Sequence, residues 1–311
     1  MALTLLEAVK SAPDDITAVV IEEYASSSDI LQMLPFRNIE GSGEHYNRED
    51  TLPGVGFRGI NEGYDQSTGV LNPQSEALKT AGGDLDVDRI YIDRGGMAAR
   101  SSQELRKVKS LSLLWTKHFI KGDSSLDPRG FDGIQLRATG SQLLDNAAAG
   151  APLSLNKLDE AIDQCDEPSA ILMNKSLRRR LTQAARNTSV GGHIEWELNS
   201  FGDRVYYYQG LPICVIDYDN ENNQIMPFTE ASGNNATTNN TSIYIVSFGE
   251  MMLSGIQGRV HGQHGIHVKD LGELQTEPKF RTRVEWDVAI TAKHGRCLTR
   301  LRGIQDAEVT V

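Results

Sequence analysis

Apolar residues recur at helical spacing most clearly between Ser101 and Lys121. Leu105, Val108, Leu111, Trp115 and Phe119 fall three and four residues apart, the spacing that lays one stripe along a helix. Ser101 followed by Glu104 has the form of a capping box, and Gly122 closes the run. Roughly 20 residues rising about 1.5 Å each give a helix of about 30 Å. The clearest period-two pattern lies towards the other end. Phe280, Thr282, Val284, Trp286, Val288 and Ile290 alternate with Arg281, Arg283, Glu285 and Asp287, which predicts a strand of roughly 36 Å, about twice the usual length. A long helix with a long strand implies an elongated molecule of α+β class.

Weaker patterns fill the rest. A broken stripe through Leu5, Val9, Ile16, Val19 and Val20 is interrupted at Pro13, and a short helix from Ser28 to Leu34 ends at Pro35. From Gly41 to about Asp84, Gly, Asn, Asp, Glu and Gln crowd the chain and no stripe survives. A coreless stretch of that length does not suit a compact domain. It predicts an extended hairpin or arm that packs against something else, and so favours oligomerisation. Further on, Leu155, Leu158, Ile162 and Cys165 mark a helix capped by Ser154. Ala170–Met173 is a buried strand, and Asn174 opens a basic helix through Leu177 and Leu181. Strands follow at Ile194–Leu198, Val205–Tyr207, Leu211–Ile216 and Ser242–Phe248, with Asp219–Thr241 between the last two as an exposed loop.

Composition narrows the function classes. The chain has 311 residues, of which 39% are hydrophobic and 6% aromatic: enough for one large domain or two, but lean for a monomer. No apolar run reaches the length of about 18 residues that a membrane helix needs, and the start lacks the basic-then-apolar form of a signal peptide. Cys165, Cys214 and Cys297 are distant and odd in number, so they read as small buried hydrophobes rather than a disulfide framework. A net charge of −11 is the wrong sign for a protein that grips nucleic acid by its phosphates.

Candidate chemistry is thin. Gly54-Val55-Gly56-Phe57-Arg58-Gly59 fits the G-x-G-x-x-G pattern. That turn must follow a buried strand and open a helix before its amides can hold a pyrophosphate. Pro53 before it and Asn61-Glu62-Gly63 after it suit an arm better. His261, His264 and His267 alternate with glycines, which suits a loop more than a tetrahedral metal site. Asp84/Asp86/Asp88 and Asp217/Asp219/Glu221 both lack the glycine and the final glutamate of a calcium loop. The basic cluster Arg178-Arg179-Arg180 suits a solvated helix face or a subunit contact. No catalytic, cofactor-binding or metal-binding residue is expected, and no enzyme activity.

The order of short motifs resembles the major capsid proteins of tailed bacteriophages. Leu34-Pro35-Phe36, Tyr46-Asn47-Arg48-Glu49 and Gly82-Gly83-Asp84-Leu85-Asp86-Val87-Asp88 stand ahead of the long helix. Phe131-Asp132-Gly133-Ile134 and Ile171-Leu172-Met173-Asn174 stand after it. The carboxy-terminal run carries Tyr208-x-Gly210-Leu211-Pro212-Ile213, Ser242-Ile243-Tyr244-x-x-x-Phe248-Gly249-Glu250, Leu271-Gly272-Glu273 and Arg281-Thr282-Arg283-Val284-Glu285-Trp286. The resemblance implies the Hong Kong 97-type fold. Residues 1–40 would be an amino-terminal arm and 41–84 an extended loop. A peripheral domain would span 85–151, with its spine helix at 101–121. An axial domain would span 152–271, and 272–311 would return to the peripheral sheet. A shell subunit of this kind associates with itself as pentamers and hexamers, meets a portal protein, and encloses double-stranded DNA without reading its sequence. It is expected in the virion, assembled in the cytoplasm of a bacterial host, with no membrane partner. The family-like sequence starts almost at Met1, so a separate scaffolding protein, or none, is expected. Arg48, Glu49, Arg58 and Lys79 on the loop, and Arg281, Arg283, Glu285 and Asp287 on the long strand, are the expected assembly contacts. An encapsulin-type compartment shell is the near alternative. A nucleotide-binding enzyme using Gly54, Gly56 and Gly59 is the distant one.

Overall fold

The computed structural model describes residues 28–310, apart from 52, 96, 187–193, 199–203 and 233–234; the amino-terminal stripe of the sequence lies outside them. Helix α1 (Asp29–Met33) stops where Leu34, forced towards extended backbone by Pro35, leaves the helical region. Strand β1 (Phe36–Asn38) follows, then β2 (Gly43–Thr51) and β3 (Val70–Ala77), and directly after them β4 (Lys79–Asp88). Next come α2 (Arg89–Gly95), the long α3 (Met97–Lys121), α4 (Ile134–Arg137), β5 (Leu143–Asp145) and α5 (Leu155–Asp163). Strand β6 (Ala170–Asn174) runs into α6 (Lys175–Ala184), where the Asn174 carboxamide oxygen accepts the Leu177 amide at 2.8 Å, the expected cap. The remainder is strand: β7 (Ile194–Leu198), β8 (Arg204–Tyr208), β9 (Leu211–Ile216), β10 (Glu230–Ser232) and β11 (Asn235–Val246). After those come β12 (Leu253–Gln257), β13 (Arg259–Val260), β14 (Gln263–His264), β15 (His267–Glu273), β16 (Lys279–Ala292) and β17 (Leu298–Ile304).

Three expectations are corrected. The long helix begins at Met97, ahead of the Ser101–Glu104 pair, so that pair is not a cap. Glu104 instead meets Arg100 one turn back and accepts the Thr282 hydroxyl of β16 at 2.7 Å. The coreless stretch ends at Ala77 rather than near Asp84: β2 and β3 pair with each other, while β4 pairs with β16. The sequence blurred the start of β4 because its first inward positions, Ala81 and Gly83, are small, so alternation shows only at Leu85 and Val87. The polar loop from Asp219 to Thr241 is partly strand, with Asn240 and Thr241 fully buried.

Among the described residues two large sheets form. One has the order β1–β12–β16–β15 with β4 on the far side of β16; the other runs β5–β17–β11–β6–β9–β8–β7, with β10 beside β11. The alternation in β16 turns Val284, Trp286, Val288 and Ile290 onto α3, whose Val108, Leu111, Trp115 and Phe119 meet them in one core. That core continues onto one face of the second sheet through Leu172, Cys214, Tyr244 and Val246. The opposite face, Ile171, Met173, Ile213, Ile243 and Ile245, packs on Leu158 of α5 and Leu177 and Leu181 of α6. Burial on both faces explains why β6 and the end of β11 read as unbroken apolar runs instead of alternating ones.

Candidate functional site

Strands β2 and β3 make an antiparallel ribbon in register from Gly43–Ala77 to Thr51–Val70. Its root is fastened to the body. Glu44 pairs with Arg37 and, at 3.0 Å, with Lys293. Burial pushes the Glu44 carboxyl up, but these two cations outweigh it and hold it below its ordinary value. Arg137 forms a two-pronged bond to Glu76, at 2.5 and 3.0 Å, and the Tyr46 hydroxyl donates to the Ala292 carbonyl at 3.2 Å. A side chain at Gly43 would strike the Glu76 carbonyl at 2.5 Å, so the close approach of the two strands at the root requires glycine.

Beyond the root the ribbon ends in a tip, residues 53–69, in which Val55, Phe57 and Ile60 are 99%, 109% and 95% exposed. The tip has internal bonds: Ser67 Oγ donates to the Gly54 carbonyl at 2.8 Å, and the Glu62 carboxylate accepts the Gly59 amide at 2.8 Å. The Arg58 guanidinium lies over the Tyr64 ring, 5.2 Å from its centroid. Gly54, Gly56 and Gly59 therefore sit in an open loop with no helix following. The dinucleotide reading fails on that geometry, because no helix N-terminus faces the glycines.

The remaining candidate contacts are placed as follows. Arg48 rests against Gly295, its guanidinium 3.2 Å from where a Cβ there would stand. The Glu49 side chain lies outside the described residues. Lys79 donates to the Pro128 carbonyl at 2.7 Å. Arg281 clamps Asp86 with two bonds of 2.6 Å, and Arg283 clamps Asp84 at 2.7 and 3.0 Å. These bonds hold both aspartate carboxyls below the usual range. Both guanidinium groups thus already hold carboxylates of their own chain, across the β4–β16 ladder. Glu285 meets His261 at 3.3 Å, and Asp287 accepts the Thr80 hydroxyl at 3.3 Å while burial raises its carboxyl. The acidic triplet lies on the exposed face of β4; its arginine partners depended on a register the sequence did not reveal. Asp219, in the other acidic group, is buried and accepts Lys117 Nζ and the amides of Glu221 and Asn223.

The three cysteines are buried, and burial pushes Cys165 and Cys297 up to about 12 and about 11 and raises Cys214 further. Such thiols are poor nucleophiles. Arg178 of the basic helix stacks on Tyr206 at 5.1 Å, while Arg180 pairs with Asp306 at 2.7 Å. Sequence reasoning missed the two features that define the assembly candidate: the root clamp through Glu44, Glu76, Arg137 and Lys293, and the fully uncovered tip. The apolar residues at 55, 57 and 60 were the available signal for the second.

No family model and no curated protein matches the chain. Solved structures do. The SrpI encapsulin of Synechococcus elongatus PCC 7942 superposes with a TM-score of 0.64 at 15% identity, covering 91% of this chain and 89% of the other. The capsid of an empty GTA particle gives 0.60 at 12% identity, with 89% and 90% covered. The protein of Mycobacterium phage Bobi gives 0.58 at 12%, with 88% and 89% covered. The likeness runs along nearly the whole length of each, and the chain has the Hong Kong 97-type capsid fold.

Proposed function

We propose that this chain is a structural, non-enzymatic shell subunit, the major capsid protein of a tailed bacteriophage. Copies associate as pentamers and hexamers into an icosahedral head around double-stranded DNA. The observation that carries the reading is the ribbon: about 35 residues that leave the body at a fastened root and end in three wholly exposed large apolar side chains. A two-stranded ribbon in water is marginal by itself, and contiguous exposed apolar surface marks a binding site. In this reading the ribbon is the extended loop and lies on a neighbouring copy. α2, α3 and the sheet around β16 are the peripheral domain, and the second sheet with α5 and α6 is the axial domain. Arg48, Glu49, Arg58 and Lys79, with the outward face of β16 from Arg281 to Asp287, border the contact. The net charge of −11 suits an inner wall along which packed DNA slides. A portal protein and a separate scaffolding protein are the further partners of this reading, and the virion its location.

Encapsulin-type shells share the fold and differ in contents, a cargo enzyme in place of DNA. Expression of the full chain followed by electron microscopy tests the reading. Closed particles are expected from the wild type, and unassembled subunits or small oligomers from Phe57→Asp. The proposal fails if the wild type stays small under every assembly condition, or if Phe57→Asp assembles as well as the wild type. Particles that hold a protein cargo and no DNA would transfer it to the encapsulin reading.

A further inference from the structure

Arg259 to His264 form a two-residue hairpin, β13 and β14 pairing Arg259 with His264 and Val260 with Gln263. Its central residues, His261 and Gly262, both have positive φ, +48° and +89°. Turns of this kind take Asn, Asp or Gly at the first of those positions, so a histidine there departs from the local rule. A strained side chain persists only where its surroundings hold it. Here they do. The His261 ring lies against that of His267, centroids 5.0 Å apart, and its Nε2 is 3.3 Å from Glu285 Oε2. His267 is itself the cross-strand neighbour of Glu285, so all three side chains share one face of the long sheet. The Nδ1 atoms of His264 and His267 are buried and make no hydrogen bond.

Other charges face the pair. Arg283 of β16 stands beside Lys269 of β15 and Asp84 of β4. Asp287 lies under Gly258, and Arg259 donates to the Gly262 carbonyl at 2.7 Å. Glu285 stands against the His261 ring. An imidazolium on half-buried His267 would face that ring 5.0 Å away, with Lys269 close by.

We propose that His261 and His267 are a proton-sensitive latch, fastening the β13–β14 turn to the long sheet at neutral pH and releasing it in acid. Burial, joined by His261 and Lys269, holds His267 below the ordinary imidazole value, with Glu285 pulling weakly the other way. The fastened state therefore binds fewer protons than the open one. Its stability is complete above about pH 6.5 and is lost as the pH falls through the depressed value. A single such group raises the opening equilibrium by up to about tenfold per pH unit inside that window.

Hydrogen–deuterium exchange of the full chain, corrected for intrinsic amide rates, reads this directly. Between about pH 7.5 and about pH 5, protection of residues 259–268 is expected to be lost progressively, with β6 and β11 unchanged. His267→Gln removes the titrating group and is expected to respond flatly. His261→Asn suits the turn and removes only the facing ring, so it guards against misfolding of the first variant; burial and Lys269 still act on His267, and a reduced response is expected. Equal wild-type protection at both pH values overturns the latch, and so does a wild-type response in His267→Gln or a full wild-type response in His261→Asn.

Discussion

Phe36, Trp115 and Trp286 meet where β1, α3 and β16 cross, with ring centroids 5.3 to 6.0 Å apart, and Phe119 adds a further contact at 5.1 Å to Trp115. Such tilted aromatic contacts add to plain area burial. The knot also explains Gly255: a Cβ there would stand 2.4 Å from the Phe36 ring. Trp286→Ala should cost about 3–5 kcal/mol in urea unfolding of the isolated chain; a loss below about 1 kcal/mol would mean that the knot is not the centre of the core. At this scale much was legible beforehand. Trp115 and Trp286 stood on predicted apolar faces and are buried there, as are Leu158, Leu177 and Ile243. What pairs with what was not. Arg281 and Arg283 chose Asp86 and Asp84 through a register between segments almost two hundred residues apart, and only the backbone ladder sets that register.

The ribbon β2–β3 behaves as an element with two different ends. Its root is held by partly buried ion pairs, its tip by no hydrogen bond or ion pair to the body among the described residues. Removing one partner of a buried pair leaves the other uncompensated, at a cost of several kcal/mol. Arg137→Ala should therefore loosen the root by about 3 kcal/mol, read as faster amide exchange at 43–48 and 74–77 and faster proteolysis of the tip, with β6 unaffected. Unchanged exchange at the root would show that the ladder alone holds the ribbon. The sequence announced this element through its missing core, since polar and glycine-rich residues cannot bury an apolar stripe. Where it ended could not be seen, because Ala81 and Gly83, the first inward residues of β4, give period-two burial almost no hydrophobic contrast. The same weakness hid the first half of β11, where Asn and Thr occupy strand positions that composition assigns to loops.

Taken as a whole, the molecule is acidic, and identical acidic bodies repel one another. Salt screens that repulsion, over about 10 Å at 0.1 M and about 3 Å at 1 M. If copies associate through the apolar tip, the concentration needed for assembly should drop several-fold between about 0.02 M and about 0.5 M sodium chloride, measured by light scattering. A rise instead would point to ion pairs as the main glue between copies. Another consequence follows from β16, to which β4, β12 and β15 all attach while β1 joins through β12. On the ribosome, α3 emerges well before the strand that covers it. The 157 residues between them, 122–278, take about 8–30 s to make at about 5–20 residues per second. During that interval Trp115 and Phe119 have no sheet to lie on, and pairings this distant in sequence form slowly. A chain released early lacks the strand around which the rest of that sheet is organised.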